Sequence, residues 1–310
     1  MPQPLVFPVE GIDNMIYAKG IWLNRQPLVF PVEGIDRSMT LEQYLRRFRN
    51  VSRRTLVRLK RIPGGICCNG VPARTVDPVS AGDCITLTEP AAEHTLPPLT
   101  TCTVPILQET ASWILYDKPD GMPVHPSHGH RMDTLGNVFA AAHPELPFRP
   151  VYRLDRDTSG ICLAAKSAYS AAFLQGRVEK TYLALVCGTL QESGTISAPI
   201  GRADGSVIRR CVRQDGKSAV THYRPLRQDG TYTLVELTLE TGRTHQIRVH
   251  MASLGYPLAG DTLYGGSTAH FSRHMLHCCR VAFPDPESGE RITAECPFQA
   301  CEAYFAAAKI

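Results

Sequence analysis

The sequence predicts a mixed α/β chain of two units, and three patterns carry that expectation. Ile161-Cys162-Leu163-Ala164-Ala165 is a short apolar run behind Gly160, which reads as a buried strand. Val235, Leu237 and Leu239 alternate with Glu236, Thr238 and Glu240, the signature of a half-buried antiparallel strand. Leu41, Tyr44, Leu45 and Phe48 fall at i, i+3, i+4 and i+7, one apolar face of a helix. At 310 residues the chain has room for a large domain and a small one.

Composition narrows the class. Hydrophobic content of 43% and charged content of 20% suit a soluble globular protein. No apolar stretch approaches the ~20 residues that span a bilayer, and no basic segment followed by an apolar block opens the chain. A cytoplasmic protein with no membrane partner is expected. The 11 cysteines include the adjacent pairs Cys67-Cys68 and Cys278-Cys279 but no Cys-x-x-Cys, so reduced, mostly buried thiols are expected, with no metal site.

Read in order, the chain begins with a repeat: QPLVFPVEGID at 3–13 recurs without change at 26–36. Structural repeats normally drift, so 1–37 reads as an arm in which at most one copy fills a native site. Within 38–90 the helix at Leu41–Phe48 is followed by a second, capped by Ser52, with Leu56 and Leu59 inward. Arg54, Arg58 and Arg61 fall at i, i+4 and i+7 on that second helix, and Gly64-Gly65 stops it. Asn69-Gly70 then marks a hairpin after Ile66-Cys67-Cys68, and Cys84–Leu87 is a further strand. Between Met39 and Ile62, eight basic residues stand against one acid, Glu42, a local field that attracts phosphates. The other reading is a charged, solvated helix pair. Prolines at 90, 97, 98 and 105 make 91–107 a semi-rigid linker that leaves the module some freedom, and 108–310 is the large domain. There Trp113–Tyr116 reads as a strand. Lys118-Pro119-Asp120-Gly121 reads as a turn, which makes Lys118 structural or phosphate-facing rather than desolvated.

The chemistry concentrates in Tyr152-Arg153-Leu154-Asp155-Arg156-Asp157-Thr158-Ser159-Gly160, on the loop entering the buried strand. A carboxylate flanked by two arginines is held ionised and can act as nucleophile or base. On composition alone the same stretch is a surface loop of Arg–Asp pairs. About ninety residues on comes Gly242-Arg243-Thr244-His245-Gln246-Ile247-Arg248-Val249-His250. It leads into a helix with Ile247, Met251 and Leu254 on one face, ended by Gly255. Alone, this basic cluster at a helix start suggests a phosphate site.

Arg-Leu-Asp-x-x-Thr-Ser-Gly at 153–160, Lys-x-Tyr-x-Ala-x-x-x-Gly at 180–188 and Gly-Arg-Thr-His-Gln-Ile-Arg at 242–248 together resemble the RluA family of RNA pseudouridine synthases. The module at 38–90 resembles an S-four-type RNA-binding domain. The resemblance implies an α/β fold on a bent, mainly antiparallel sheet, and the isomerisation of uridines in RNA without cofactor or metal. It implies Asp155 as the catalytic carboxylate, Arg248 as its ion partner and Tyr182 as the residue stacking on the target base. Arg153, Arg243 and His245, with Arg54, Arg58 and Arg61 on the module, become the RNA-contacting residues of a monomer. Large-subunit ribosomal RNA is the leading target and transfer RNA the second; a non-catalytic RNA-binding or ribosome-assembly protein is the alternative. The family opens the first motif with His where this chain has Tyr152. Tyr152 is expected to shape the loop, its ring packed beneath Arg153 and Asp155.

Overall fold

A computed structural model of the chain describes residues 27–35, 39–88, 96–127 and 129–307. In the large domain the strands are β7 (Ile106–Glu109), β8 (Trp113–Lys118), β9 (Arg149–Pro150), β10 (Ser159–Ala165), β11 (Glu179–Cys187), β12 (Gly194–Ser197), β13 (Ile200–Arg202), β14 (Arg210–Val212), β15 (Val220–Gln228), β16 (Tyr232–Leu239), β17 (Leu276–Pro284) and β18 (Arg291–Glu295). The helices are α3 (Leu135–Ala142), α4 (Ala168–Leu174), α5 (Gln246–Ser253) and α6 (Gln299–Ala307). One sheet runs β12-β15-β16-β11-β17-β10-β8-β7, with β18 on β17 and β9 on β10.

Its ladders are antiparallel except one. β10 and β17 run parallel, pairing Ser159 with His277 and Gly160 with Cys278. Gly160 has φ 101, and a Cβ there would lie 2.4 Å from the Cys278 carbonyl oxygen. Only glycine permits that approach, and the approach seats the loop before β10 against β17. The predicted strand is wholly buried, as are Trp113, Ile114 and Leu115 on β8, while Ile247 and Met251 bring α5 onto the same core.

The small domain comprises β1 (Leu28–Pro31), β2 (Met39–Thr40), β3 (Ile66–Cys68), β4 (Val71–Pro72), β5 (Pro78–Val79) and β6 (Cys84–Leu87), with α1 (Leu41–Phe48) and α2 (Arg53–Leu59). Its main sheet is ordered β1-β6-β3-β4. Thr40 and Gln43 form a capping box on α1, and Ser52 caps α2 through the Thr55 amide. Asn69 and Gly70, at φ 53 and 78, make the β3–β4 turn. Leu41, Tyr44, Leu45, Leu56 and Leu59 face the core, but Phe48 is exposed. α2 stops at Leu59, short of the predicted glycines, because Pro63 disfavours helix in the residues before it. Arg54 and Arg58 therefore share the helix, while Arg61 lies in the turn beyond it.

Two boundaries differ from the sequence reading. The second copy of the repeat is no arm: β1 pairs with β6 and buries Phe30 and Val32, so the small domain begins well before 38. Alternating apolar residues next to an unfilled sheet edge account for it. The first copy lies outside the described residues. The far half of the linker is docked, with the Pro97 carbonyl and the Leu99 amide bonded to Asn137 and Val104 buried in the large core. The near half, 89–95, is outside the described residues. The two domains also touch: Tyr169 of α4 packs edge-on against Phe30 at 5.2 Å and donates its hydroxyl hydrogen to the Arg49 carbonyl.

Candidate active site

The Asp loop is fixed by its backbone. Three consecutive carbonyls are each held: Asp155 by the Thr158 amide at 3.1 Å, Arg156 by Lys118 Nζ at 3.0 Å, and Asp157 by Arg273 at 3.2 Å. Lys118 is fully buried and also donates to the Pro119 and Met122 carbonyls. Burial brings its pKa down to about 8. Its role is structural as expected, but the turn around it is a desolvated one. Thr158 Oγ1 hydrogen-bonds His274 at 2.8 Å, closing the loop onto the segment that leads into β17. Tyr152 sends its hydroxyl to the Ile161 carbonyl at 2.9 Å and lies under the Lys180 ammonium, so its ring anchors the loop to β10.

The two carboxylates of the loop are separated by their partners. Asp157 forms a two-pronged pair with Arg156, which holds its carboxyl below the usual range. Asp155 takes its arginine from 93 residues away: Arg248 NH1 stands 3.3 Å from Asp155 Oδ2. The expectation of two flanking arginines is thus corrected: Arg156 is taken by Asp157, and α5 delivers Arg248 to Asp155 across the cleft. Arg248 is 7% exposed and gives its Nε and NH2 to Asp261 at 2.7 and 2.9 Å. Burial lowers its pKa and the two carboxylates more than restore it, so the guanidinium stays charged.

Around Asp155 lies a small cleft that is open to solvent. Leu154, Leu239, Ile247 and Leu276 give it apolar walls, and Tyr182 of β11, Arg153, Arg243 and His245 complete it. Tyr182 is 6% exposed; burial, then the Cys278 thiol and the Asp155 charge, hold its hydroxyl protonated. His245 has φ 57 in front of α5, with Nε2 3.8 Å from Asp155 Oδ2 and Nδ1 2.8 Å from the Tyr264 hydroxyl. Burial lowers its pKa. Arg243 Nε is bonded to the Ser218 carbonyl, and its amide to Gln246. His250 is buried against Thr221 and Ala198, a core residue.

Likeness to known proteins covers the stretch that carries the Asp loop and α5. The family model described as RNA pseudouridylate synthase matches residues 112–253. An RNA pseudouridine synthase of Bacillus subtilis, described as uncharacterized, is 36% identical over 84% of this chain and 91% of its own. The chain belongs to the RluA-type RNA pseudouridine synthases. The ribosomal large subunit pseudouridine synthase D of Nitrosomonas europaea is 43% identical over 62% of this chain, which spans 61% of that relative's length. Among solved structures, human RNA pseudouridylate synthase domain containing 1 superposes with a TM-score of 0.53 at 28% identity, covering 65% of this chain and 86% of that one.

Within this synthase the structure brings Asp155, Tyr182, Arg248, Arg153, Arg243 and His245 to one cleft. Arg54, Arg58 and Arg61 do not line it and are exposed on the small domain. Arg49, counted in the same basic stretch, serves that domain's own fold, bonding the Pro31 carbonyl and the Tyr44 hydroxyl. Sequence reasoning missed Asp261, Tyr264, Arg273 and His274 as site residues. Asp261 falls outside the three motifs at 153–160, 180–188 and 242–248. Gly260 has φ 75, and a Cβ there would lie 1.9 Å from the Arg273 carbonyl oxygen, so this glycine sets the turn that carries Asp261 to Arg248. Among the described residues no group of three or more His, Cys, Asp or Glu could hold a metal, and no helix is long and apolar enough to cross a membrane.

Proposed function

We propose that this chain isomerises specific uridines in structured RNA to pseudouridine with Asp155 as the catalytic carboxylate, and that large-subunit ribosomal RNA is the target. The observation that carries the reading is the pairing of a partly exposed Asp155 with a buried, charge-saturated Arg248 at the floor of a cleft walled by Tyr182. In the reaction the bond from C1′ to N1 breaks, the uracil turns while held, and C1′ joins C5. The C5 proton leaves and N1 gains one. A carboxylate beside the sugar can attack C1′, attack the ring or take a sugar proton, and each route needs the same placement.

A stacked uridine cannot reach Asp155, so the nucleotide flips into the cleft. Tyr182 then offers a flat face to the uracil, and exposed Arg153 at the mouth occupies the space that the base leaves. Arg54, Arg58 and Arg61 on the S-four-like module hold phosphates of the surrounding RNA. The relative named for the ribosomal large subunit supports that target over transfer RNA. This reading places the enzyme in the cytoplasm, acting as a monomer and without a cofactor.

Asp155→Asn keeps the shape and removes the charge. It is expected to abolish single-turnover conversion of transcribed large-subunit RNA while RNA binding stays intact; comparable turnover would end the assignment. Mapping pseudouridines in cellular RNA with and without the chain decides the target. Losses confined to transfer RNA would move it there, and no loss anywhere would favour the non-catalytic alternative.

A further inference from the structure

Tyr264 sits where three parts of the site meet. Its hydroxyl accepts the Arg210 amide of β14 at 3.0 Å and lies 2.8 Å from Nδ1 of His245. Its ring lies beneath the Arg248 guanidinium at 5.0 Å and meets the His245 ring edge-on. Both cation-capable groups that address Asp155 therefore rest on one tyrosine.

The Tyr264 and Asp155 contacts together assign the proton on His245. A backbone amide can only donate, so the Tyr264 oxygen is an acceptor toward Arg210; toward Nδ1 it can accept again or donate its single hydrogen, and donation is the arrangement that also turns an N–H rather than a lone pair toward Asp155. A neutral imidazole that accepts at Nδ1 carries its hydrogen on Nε2. That nitrogen faces Asp155 Oδ2 at 3.8 Å, where a bare lone pair would meet a carboxylate and an N–H meets an acceptor. The doubly protonated ring is disfavoured by burial and by the charges of Arg248 and Arg210, against the pull of Asp155 and Asp261. The left-handed backbone at His245, which non-glycine residues seldom adopt, is what aims the ring across the helix start. Arg248 addresses the same Oδ2. Among the described residues Asp155 Oδ1 has no hydrogen bond of this kind.

We propose that Tyr264 is a positioning residue for the isomerisation. Its hydroxyl sets His245 as the neutral Nε2–H tautomer, so that His245 and Arg248 together hold Oδ2 of Asp155 and leave Oδ1 for the uridine. The role rests on the isomerase reading, whereas the tautomer stands on geometry alone. The Nε2–Oδ2 gap closes when substrate excludes water, as catalytic hydrogen bonds open in the free enzyme commonly do.

The test uses the full chain with nitrogen-15 histidine, comparing the parent, Tyr264→Phe, His245→Asn and the double variant. Asparagine tolerates the left-handed backbone and removes the Nε2 donor. The parent spectrum is expected to show His245 protonated at Nε2 alone, and Tyr264→Phe to show both tautomers. Each single variant is expected to lower the single-turnover rate on transcribed large-subunit RNA by about ten- to a hundredfold, the scale on which an orienting partner acts. RNA affinity is expected to stay within about threefold. Because the two residues act in series, the double variant should be no slower than the slower single one. An Nδ1–H tautomer in the parent, or rate losses that multiply in the double variant, overturns the proposal. A parent with the Nε2–H tautomer that converts no RNA overturns the isomerase reading and the catalytic role with it. Should Tyr264→Phe fail to fold, the parent spectrum and the rate of His245→Asn decide alone: an Nε2–H parent with an unslowed His245→Asn also overturns it.

Discussion

Arg248 and Arg54 carry the same guanidinium and are treated in opposite ways. The first is 7% exposed, bonded to Asp155 and Asp261 and stacked on Tyr264; the second stands in solvent on α2. Burying a charge is costly unless its hydrogen-bonding positions are met, so the cleft supplies a partner on each side of Arg248. Exposed arginines need no such company and keep their field for a partner that arrives later. The cleft holds charge in place, and the small domain projects it. Substitutions should therefore cost folding stability in one region and only association in the other.

The widest gap is expected at Asp261. Asp261→Ala leaves Arg248 buried with half its partners, and breaking a buried pair costs about 3–5 kcal/mol. Urea unfolding should register that loss, and single-turnover rates should fall as Arg248 swings from Asp155. A variant with parental stability would show that the Arg248–Asp261 pair is not what holds the cleft together.

Next comes Lys118, where stability and activity part company with pH. Its folded pKa is lowered to about 8 from an ordinary 10.5. Between those values the unfolded chain keeps a proton that the folded chain has released, so this group makes stability rise with pH across that window. Activity should do the reverse, because a neutral amine has two hydrogens for three carbonyls and the Asp loop loosens above about pH 8. Lys118→Met should remove both trends and cost about 1–3 kcal/mol for the orphaned carbonyls. Paired unfolding and rate measurements at pH 7 and 9.5 check it, and parallel behaviour in parent and variant would rule it out.

A smaller effect is expected at Tyr152. Tyr152→Phe forfeits the bond to the Ile161 carbonyl, worth about 1 kcal/mol. Tyr152→His should keep the rate within a few-fold, and Tyr152→Ala should slow it by loosening the loop. If the His variant gained a titration near neutral pH that the rate followed, position 152 would belong to the chemistry.

The small domain closes the series. Replacing Arg54, Arg58 and Arg61 with alanine should change stability by no more than about 0.5 kcal/mol, since exposed side chains seldom do more. The slope of RNA affinity against salt should flatten by about one unit for each phosphate that is no longer held. An unchanged slope would mean that this face does not meet RNA.

What the sequence made legible was local or carried by wording. The capped helices, the Asn-Gly hairpin and the alternating strand follow from spacing along a few residues. Asp155 and Arg248 were paired only through the family's motifs, since nothing in their separation of 93 residues implies that they meet. The rest was hidden because burial is not local. Lys118 sits in turn-like wording, yet is sealed beneath the Asp loop by chain from Arg156. Nothing in the dipeptide Gly260-Asp261 says that its carboxylate meets Arg248, since the turn that brings it there depends on the distant Arg273 carbonyl.

The strand β1 has a consequence for mutational robustness. Leu28, Phe30 and Val32, with which it enters the small sheet and core, are spelled again 23 positions earlier as Leu5, Phe7 and Val9. A lesion in Phe30 would ordinarily remove the only side chain of its kind for that slot. Here a substitution at Phe30 leaves the identical text at Phe7 unaltered, so the informative comparison sets the single variant of β1 beside one that alters both copies at once.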